Sequence, residues 1–495
     1  MKYKGKTLTK EQEKNLNKII EGSDYCIQAP PGSGKTLLLY ATARKLNGYG
    51  LNVSFNKALS ILAGKNFPKH VYCKTGHALA YGSVGWKFRD RLKKITGHSL
   101  ANNYNIGNTK LFRTPSHKGY LILQTIRQYC YSDDISIDKN HLPKIPITAA
   151  NHEAMEHDLL EASRSILNLM FDDKNDIPIT HDIYLKKWAL SNPQLRKSFV
   201  MFDEYQDANP VIAAVIKNQR NTQKLFVGDQ YQQIYSWRGA INAISNTDIP
   251  TLYITKSFRF GQAIADIANN TIQSYYPSFW DYNAFAGNDT IESTVSYSPL
   301  PDVDCIICRT NNGVINETIK AQKDGKNVYI LGGTEQLISL INGIHDLKQI
   351  GRSYHPELFL FNNYQELKEY ANSSFGGDLK PIINLIEKYG RGKLIAILNE
   401  TTEDEANADI TITTCHKSKG MEWPTVRLGS DYKSISDDML PELEEINILY
   451  VAITRALKKL DLSQCDSVMP SQLSLAKKIN KENEMIIAKG LGGTI

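Results

Sequence analysis

No run of apolar residues in this 495-residue sequence approaches the roughly 18 needed to cross a bilayer as a helix. The opening Met1-Lys2-Tyr3-Lys4 leads into polar residues rather than the apolar core of a signal peptide. An intracellular protein without a membrane partner is therefore expected, cytoplasmic or nucleoid-associated, of cellular or viral origin. Cysteine is scarce, with seven residues spread through the chain, an odd number that suits reduced thiols and argues against a disulfide framework. Cys305 and Cys308 have the spacing of half a metal site. They fall in an apolar, strand-like run with no second Cys/His pair nearby, so two core cysteines are expected. Neither sign of charge dominates: 58 basic against 52 acidic residues leave a formal +6, compatible with a polyanionic partner without demanding one. Short-period repeats and low-complexity tracts are also lacking.

What the chain has is size and an α/β rhythm. Its length exceeds a single core and predicts two to four domains. Tyr25–Gln28 reads as a buried strand, followed by a Gly/Pro loop and a helix from Lys35 to Leu46. Asn52–Phe55 is the next strand and Lys57–Lys65 the next helix, a βαβα order that implies a parallel sheet. Between Trp86 and Trp188 the pattern turns mostly helical, and the α/β rhythm resumes at Ser198–Phe202 and Lys224–Val227. A second α/β unit starts near Leu252 and returns at Ile410–Thr413, with helix-leaning sequence from Glu335 to Asn407 between. Each unit thus carries an interruption of the kind an inserted domain makes. A helix is predicted for Ser471–Ile487.

The chemistry concentrates in a few segments. Ala29-Pro30-Pro31-Gly32-Ser33-Gly34-Lys35-Thr36 follows a strand and opens a helix. Its glycines let backbone N–H groups approach phosphate oxygens, Lys35 would reach the β- and γ-phosphates, and the Thr36 hydroxyl would ligate Mg²⁺. Phe199–Asp203 is an apolar strand ending in Asp203 and Glu204, placed to hold Mg²⁺ and to activate the attacking water. Leu225–Gly228 runs into Asp229 and Gln232, which suit a terminal phosphate. Tyr235, Trp237 and Arg238 follow at once, aromatics beside a cation that suit stacking on unpaired bases. Arg259 and Arg455 are candidates for stabilising charge on the γ-phosphate. His416, Lys417, Ser418, Lys419 and Gly420 suit contacts to a nucleic-acid backbone. The basic run Lys87, Arg89, Arg91, Lys93 and Lys94 reads equally well as a strand-contacting patch or a solvated face.

In this order, from Gln12 to Arg455, the motifs resemble a superfamily 1 DNA helicase of the UvrD/Rep type. The phrases Phe55-Asn-Lys-Ala58, His181–Trp188 and Gln232-Gln-Ile-Tyr235 look like the helicase part of the F-box DNA helicases. The resemblance implies two RecA-like parallel-sheet domains, each with a mainly helical insertion. The first would comprise residues 1–86 and 189–251 with an insertion at 87–188. The second would comprise 252–340 and 408–495 with a short insertion at 341–407. It implies adenine recognition by Gln12 and stacking on Phe258, γ-phosphate contacts from Gln232, Arg259 and Arg455, and a ribose contact from Glu422. It further implies DNA contacts from Phe55, His77, Tyr235, Trp237, Arg238 and His416. ATP and Mg²⁺ would be the cofactors, single-stranded DNA and single/double-strand junctions the substrates, and recombinase or replication proteins the partners. The chain departs from the family pattern at Gly76 and Ala78, where an aromatic residue and a serine are usual. The activity expected is 3′–5′ movement on single strands with unwinding. A translocase that strips bound proteins and a nucleotide-gated binding module remain alternatives.

Overall fold

The computed structural model describes residues 2–3, 6–112, 114–143, 152–235, 242, 244, 248–273, 284–353, 355, 358, 361, 363–372, 379–432, 443–465 and 467. Trp237, Arg238 and the helix expected at 471–487 lie outside these residues. The chain divides into two units, Met1–Pro30 with Gly34–Ile254, and Pro31–Ser33 with Thr255–Ile495.

A short antiparallel pair, β1 (Lys2–Tyr3) and β2 (Lys6–Thr7), precedes the first sheet. That sheet has six strands: β3 (Tyr25–Gln28), β4 (Gly50–Val53), β5 (Val71–Lys74), β6 (Phe199–Asp203), β7 (Gln223–Gly228) and β8 (Thr251–Tyr253). Their order is β5-β4-β6-β7-β3-β8, and every pairing is parallel. Such a sheet is covered on both faces, which is why β3, β4 and β6 are almost wholly buried and read as short apolar runs. The covering and crossover helices are α1 (Lys10–Ile19), α2 (Lys35–Ala43), α3 (Lys57–Asn66) and α4 (Gly76–Ser83). The strand expected at Asn52–Phe55 lies two residues earlier. Asn56 accepts from the Leu59 amide at 2.9 Å to cap α3, and the strand ends on the approach to that cap, Ser54 keeping one bond to the Lys74 carbonyl of β5.

Between β5 and β6 the chain forms α5 (Gly97–Asn103), α6 (Pro115–Tyr131), α7 (His152–Phe171) and α8 (His181–Leu190); α9 (Pro210–Lys217) is the crossover from β6 to β7. Three basic side chains are built into this helical region. Arg91 is 9% exposed and donates to the carbonyls of Leu169, Met170, Asp172 and Ile177, satisfying the open end of α7. The basic run that begins at Lys87 therefore contributes Arg91 to the interior, not to a strand-binding face. Lys118 is fully buried, 2.5 Å from Asp158. Lys186 donates to the carbonyls of Ser132 (2.8 Å) and Asp134 (2.7 Å) with its ammonium over the Tyr129 ring.

The second unit holds β9 (Thr294–Ser296), β10 (Cys305–Cys308), β11 (Val328–Ile330), β12 (Ile410–Thr414), β13 (Trp423–Leu428) and β14 (Ala456–Asp461). These form a second all-parallel sheet in the order β11-β12-β10-β13-β14-β9. Cys305 and Cys308 are both buried on its β10, with thiols that burial holds protonated. Its helices are α10 (Gln262–Gln273), α11 (Asn311–Lys323), α12 (Glu335–Ile350), α13 (Tyr364–Asn372), α14 (Leu379–Tyr389), α15 (Arg391–Asn399), α16 (Cys415–Ser418) and α17 (Leu443–Ile453). The helices α12 to α15 fill the interval between β11 and β12. The boundary expected at residue 340 falls inside α12. Two six-stranded parallel sheets flanked by helices make this an α/β protein of two RecA-like domains. Among the described residues no helix is long and apolar enough to cross a membrane.

Candidate functional site

In open parallel sheets the carboxyl ends of the strands are where loops can converge on a ligand. In the first sheet Gln28 pairs with Gly228, Asp203 with Val227, Val53 with Phe202 and Lys74 with Val53. That register sets the ends of five strands in one row, and the segments chosen from sequence leave from it. The loop after β3 reaches α2 through Gly34, whose φ of +80° is a left-handed conformation natural to glycine. Lys35 is nearly buried, and its ammonium donates to the carbonyls of Ala29 (3.2 Å) and Pro30 (3.3 Å). The Thr36 hydroxyl donates to Asp203 Oδ2 at 3.1 Å. Burial, reinforced by the charge of Glu204, raises the Asp203 carboxyl to about 6. Gln12 lies beside this loop. Its Oε1 accepts from the Thr9 amide (3.0 Å) in the capping box of α1, and its Nε2 lies against Gly34.

Glu204 adopts φ +54°, a strained conformation for a residue with a side chain. A buried amide network holds it. Gln206 Nε2 donates to Glu204 Oε2 at 2.7 Å, while Gln206 Oε1 accepts from the Asp229 amide at 3.1 Å. Asp229 in turn accepts from Gln28 Nε2 (3.1 Å) and Gln232 Nε2 (2.8 Å), and the side-chain Oε1 of Gln28 accepts from the Gln230 amide. Gln206 and Asp229 are completely buried. A Cβ at position 228 would stand 2.0 Å from Gln206 Oε1, so glycine there makes room for the network. Reasoning from sequence named Glu204 and Gln232 but missed Gln28, Gln206 and Gly228, which join them. The available signal was a glutamine ending the apolar strand of β3.

Tyr235 closes the described part of the same segment, and its ring stacks on Phe55 with centroids 6.0 Å apart and planes 9° from parallel. Phe55 remains 40% exposed, unusual for a large apolar side chain that packs a core. His77, in the first turn of α4, has Nε2 3.0 Å from Asp182 Oδ1 and its ring edge-on to Tyr184. Both neighbours come from the phrase His181–Trp188, and neither was chosen from sequence.

In the second unit, Arg259 Nε lies 2.7 Å from Glu422 Oε2, and Arg259 Nη1 donates to the Thr454 carbonyl. Arg455 is 1% exposed; it donates to the carbonyls of Val451 (2.9 Å) and Met421 (3.3 Å) and to the Thr454 hydroxyl (3.1 Å). Burial and the neighbouring Arg259 push its guanidinium below the usual arginine range. Three residues from three separate motifs thus gather in one knot. Phe258 beside it is exposed, and His416 sits partly exposed on α16.

A glycine loop between strand and helix, with Lys and Thr at its end and paired carboxylates on a nearby parallel strand, is the framework of a P-loop nucleoside-triphosphatase. Residues 92–250 match the UvrD/REP helicase N-terminal domain, and residues 319–467 match the UvrD-like helicase C-terminal domain. The chain belongs to the UvrD-like helicases. It is 31% identical to F-box DNA helicase 1 of Gallus gallus, over 92% of this chain and 49% of that protein. It is 27% identical to F-box DNA helicase protein 1 of Schizosaccharomyces pombe, over 92% and 57%. The ATP-dependent DNA helicase PcrA of Leuconostoc citreum is 30% identical over 50% of this chain and 36% of its own. The chain spans about half the length of the F-box relatives it matches.

Proposed function

We propose that the protein is an ATP-driven DNA helicase that moves 3′ to 5′ along single-stranded DNA. The observation that carries this reading is the continuity of one segment. Asp229 and Gln232, tied through Gln206 to Glu204, run directly on to Tyr235, which stacks on the half-exposed Phe55. A change at the phosphate side can thereby be felt at an aromatic surface suited to unpaired bases.

In this reading Lys35 binds the β- and γ-phosphates, and the loop from Ala29 to Gly34 offers them its backbone N–H groups. Thr36 and Asp203 present two hard oxygens 3.1 Å apart, one a neutral hydroxyl and one a carboxylate, and Mg²⁺ prefers few such protein donors beside phosphate oxygens, so the residues present fit that ion. Bound there with the nucleotide, Mg²⁺ would neutralise charge on the phosphate oxygens. Glu204 orients the attacking water and accepts its proton, held for that task by Gln206. Gln232, Arg259 and Arg455 are assigned to the γ-phosphate, Gln12 and Phe258 to the adenine, and Glu422 to the ribose. The DNA contacts are assigned to Phe55, His77, Tyr235, Trp237, Arg238 and His416, and recombinase or replication proteins are the partners.

The test is ATP turnover with and without single-stranded DNA beside a Lys35→Ala control, then unwinding of 3′- and 5′-tailed duplexes on the same sample. Stimulation with opening of the 3′-tailed duplex alone supports the proposal. Stimulation without unwinding points to a translocase that strips proteins, and absent stimulation removes the motor.

A further inference from the structure

The amino ends of the first sheet's strands, opposite the phosphate loop, carry an arrangement that the motor does not use. Four loops meet there. The Ser198 amide donates to the Tyr49 carbonyl (2.9 Å), the Gly50 amide to His70 (3.0 Å), and the Gln223 amide to Ser198 (3.0 Å). The Thr222 hydroxyl donates to the Lys197 carbonyl (2.8 Å), and the Leu195 amide to Gln219 Oε1 (2.6 Å). Loops 44–50, 67–70, 191–198 and 217–222 are thus tied into one rim.

No carboxylate occurs in those four loops, whereas Arg44 and Lys217 stand at their edges and Lys45, Lys69, Arg196, Lys197 and Arg220 within them. The neighbouring loop 20–24, tied to Gln223 through the Ile19 and Ser23 carbonyls, carries Glu21 and Asp24, and Asp24 is engaged by the amide and the ammonium of Lys224. Cations that outnumber the carboxylates around them repel one another and favour an anionic ligand. Two large aromatic rings stand among them. Tyr49 is 62% exposed and Tyr72 48%, their centroids are 6.3 Å apart, and the Lys197 ammonium lies 4.1 Å from the Tyr72 ring centre. The rim is also strained. Among the described residues, non-glycine positive φ occurs at Asn192, Arg196, Asn221 and Glu204. Three of these four lie in this rim, and the fourth is the residue assigned to activate water. Asparagine tolerates that conformation, but arginine does not adopt it readily, so the fold holds Arg196 in place at a cost.

We infer that this rim is a second binding site for single-stranded nucleic acid, with Tyr49 and Tyr72 stacking on bases and the cations tracking the backbone. An acidic peptide would satisfy the charge but leave the two exposed rings without a purpose. Base stacking combined with phosphate contacts uses both features. The inference stands apart from the motor assignment, since the rim would bind a strand whether or not ATP is turned over.

The test uses the full chain and a fluorescent oligothymidylate of about twelve nucleotides, near the footprint of one such site. At low salt the wild type should bind two strands. Lys45→Glu/Lys69→Glu/Lys197→Glu should bind one, with the lost site showing a log–log salt slope of about −2, as three phosphate contacts on a single strand give. Tyr49→Ala/Tyr72→Ala should weaken that site roughly tenfold or more while leaving basal ATP turnover unchanged, which also reports folding. Phe55→Ala should spare it. Strand binding that neither rim variant reduces overturns the inference, whether the wild type binds one strand or two. Competition by polyglutamate as strong as by oligothymidylate, and insensitive to the tyrosine variant, would assign the rim to an acidic protein instead and overturn it equally.

Discussion

Replacing Gln206 by leucine keeps the buried volume while deleting both hydrogen bonds that hold Glu204 against Asp229. The bond to Glu204 Oε2 is charge-assisted, at 2.7 Å and inside a completely buried side chain. Such a bond is worth about 1.5–3 kcal/mol. Lost from the step that activates water, that corresponds to a kcat roughly 10- to 150-fold lower. Nucleotide KM should stay near the wild-type value, because Lys35, Thr36 and the phosphate loop are untouched. Gly228→Ala should give the same phenotype from another strand, since its Cβ would stand 2.0 Å from Gln206 Oε1 and displace the amide. The double variant should then lose little more than either single one, because both break one link. The assay is steady-state ATP turnover at saturating single-stranded DNA, with urea unfolding beside it to register any loss of fold. A normal kcat in folded Gln206→Leu, or losses that multiply in the double variant, would refute the reasoning.

Other outcomes follow from the interior and from the Phe55–Tyr235 pair. Asp158→Ala leaves the fully buried Lys118 ammonium without its carboxylate and should cost about 3 kcal/mol; Lys118→Met/Asp158→Leu, which removes both charges, should cost much less in urea titrations. Tyr235→Ala should weaken single-strand binding by about 1–3 kcal/mol through lost stacking while sparing DNA-free ATP turnover, as read by anisotropy and a coupled assay. Burial raises Cys26, Cys415, Tyr129 and Tyr184 to about 12 and Cys73 to about 11. These groups stay protonated in the fold and ionise near 9 (Cys) or 10 (Tyr) once unfolded. Their stabilisation is complete below about pH 9 and is lost as pH rises toward 12. Lys186, pushed down to about 8 by burial, acts the other way between about 8 and 10.5. Arg455, lowered by burial and by Arg259, acts in the same direction as Lys186. Cys130, Cys305, Cys308, Tyr205 and Tyr432, however, are raised by burial beside the first five, so the balance falls. Urea midpoints should therefore drop from about pH 8 to 11, and a rise would contradict this account.

The difference between what could be read in the chain and what could not has a physical origin. Backbone-determined features were legible. The phosphate loop needs glycines at set positions, and a buried parallel strand needs a short apolar run, so β3, β6, β7 and β12 and the residues at their ends stood out. Side chains that act by filling or neutralising the interior were not. Arg91 reads as one member of a basic run, yet its guanidinium closes the end of α7, because five donors in a rigid fork can satisfy several carbonyls that water cannot reach. Lys118 and Lys186 are invisible for the same reason: a buried ammonium is decided by partners distant in sequence, such as Asp158 and the Ser132 carbonyl. The network around Gln206 lies between these cases. Its residues sit within or beside conspicuous motifs, but their function depends on β6, β7 and β3 being neighbours, an order that a sequence does not state. The same dependence explains the rim at the opposite end of the sheet. Lys45, Lys69, Lys197 and Arg220 are unremarkable loop residues until the strand order brings four loops together, and then the absence of any carboxylate among them becomes a property of one surface.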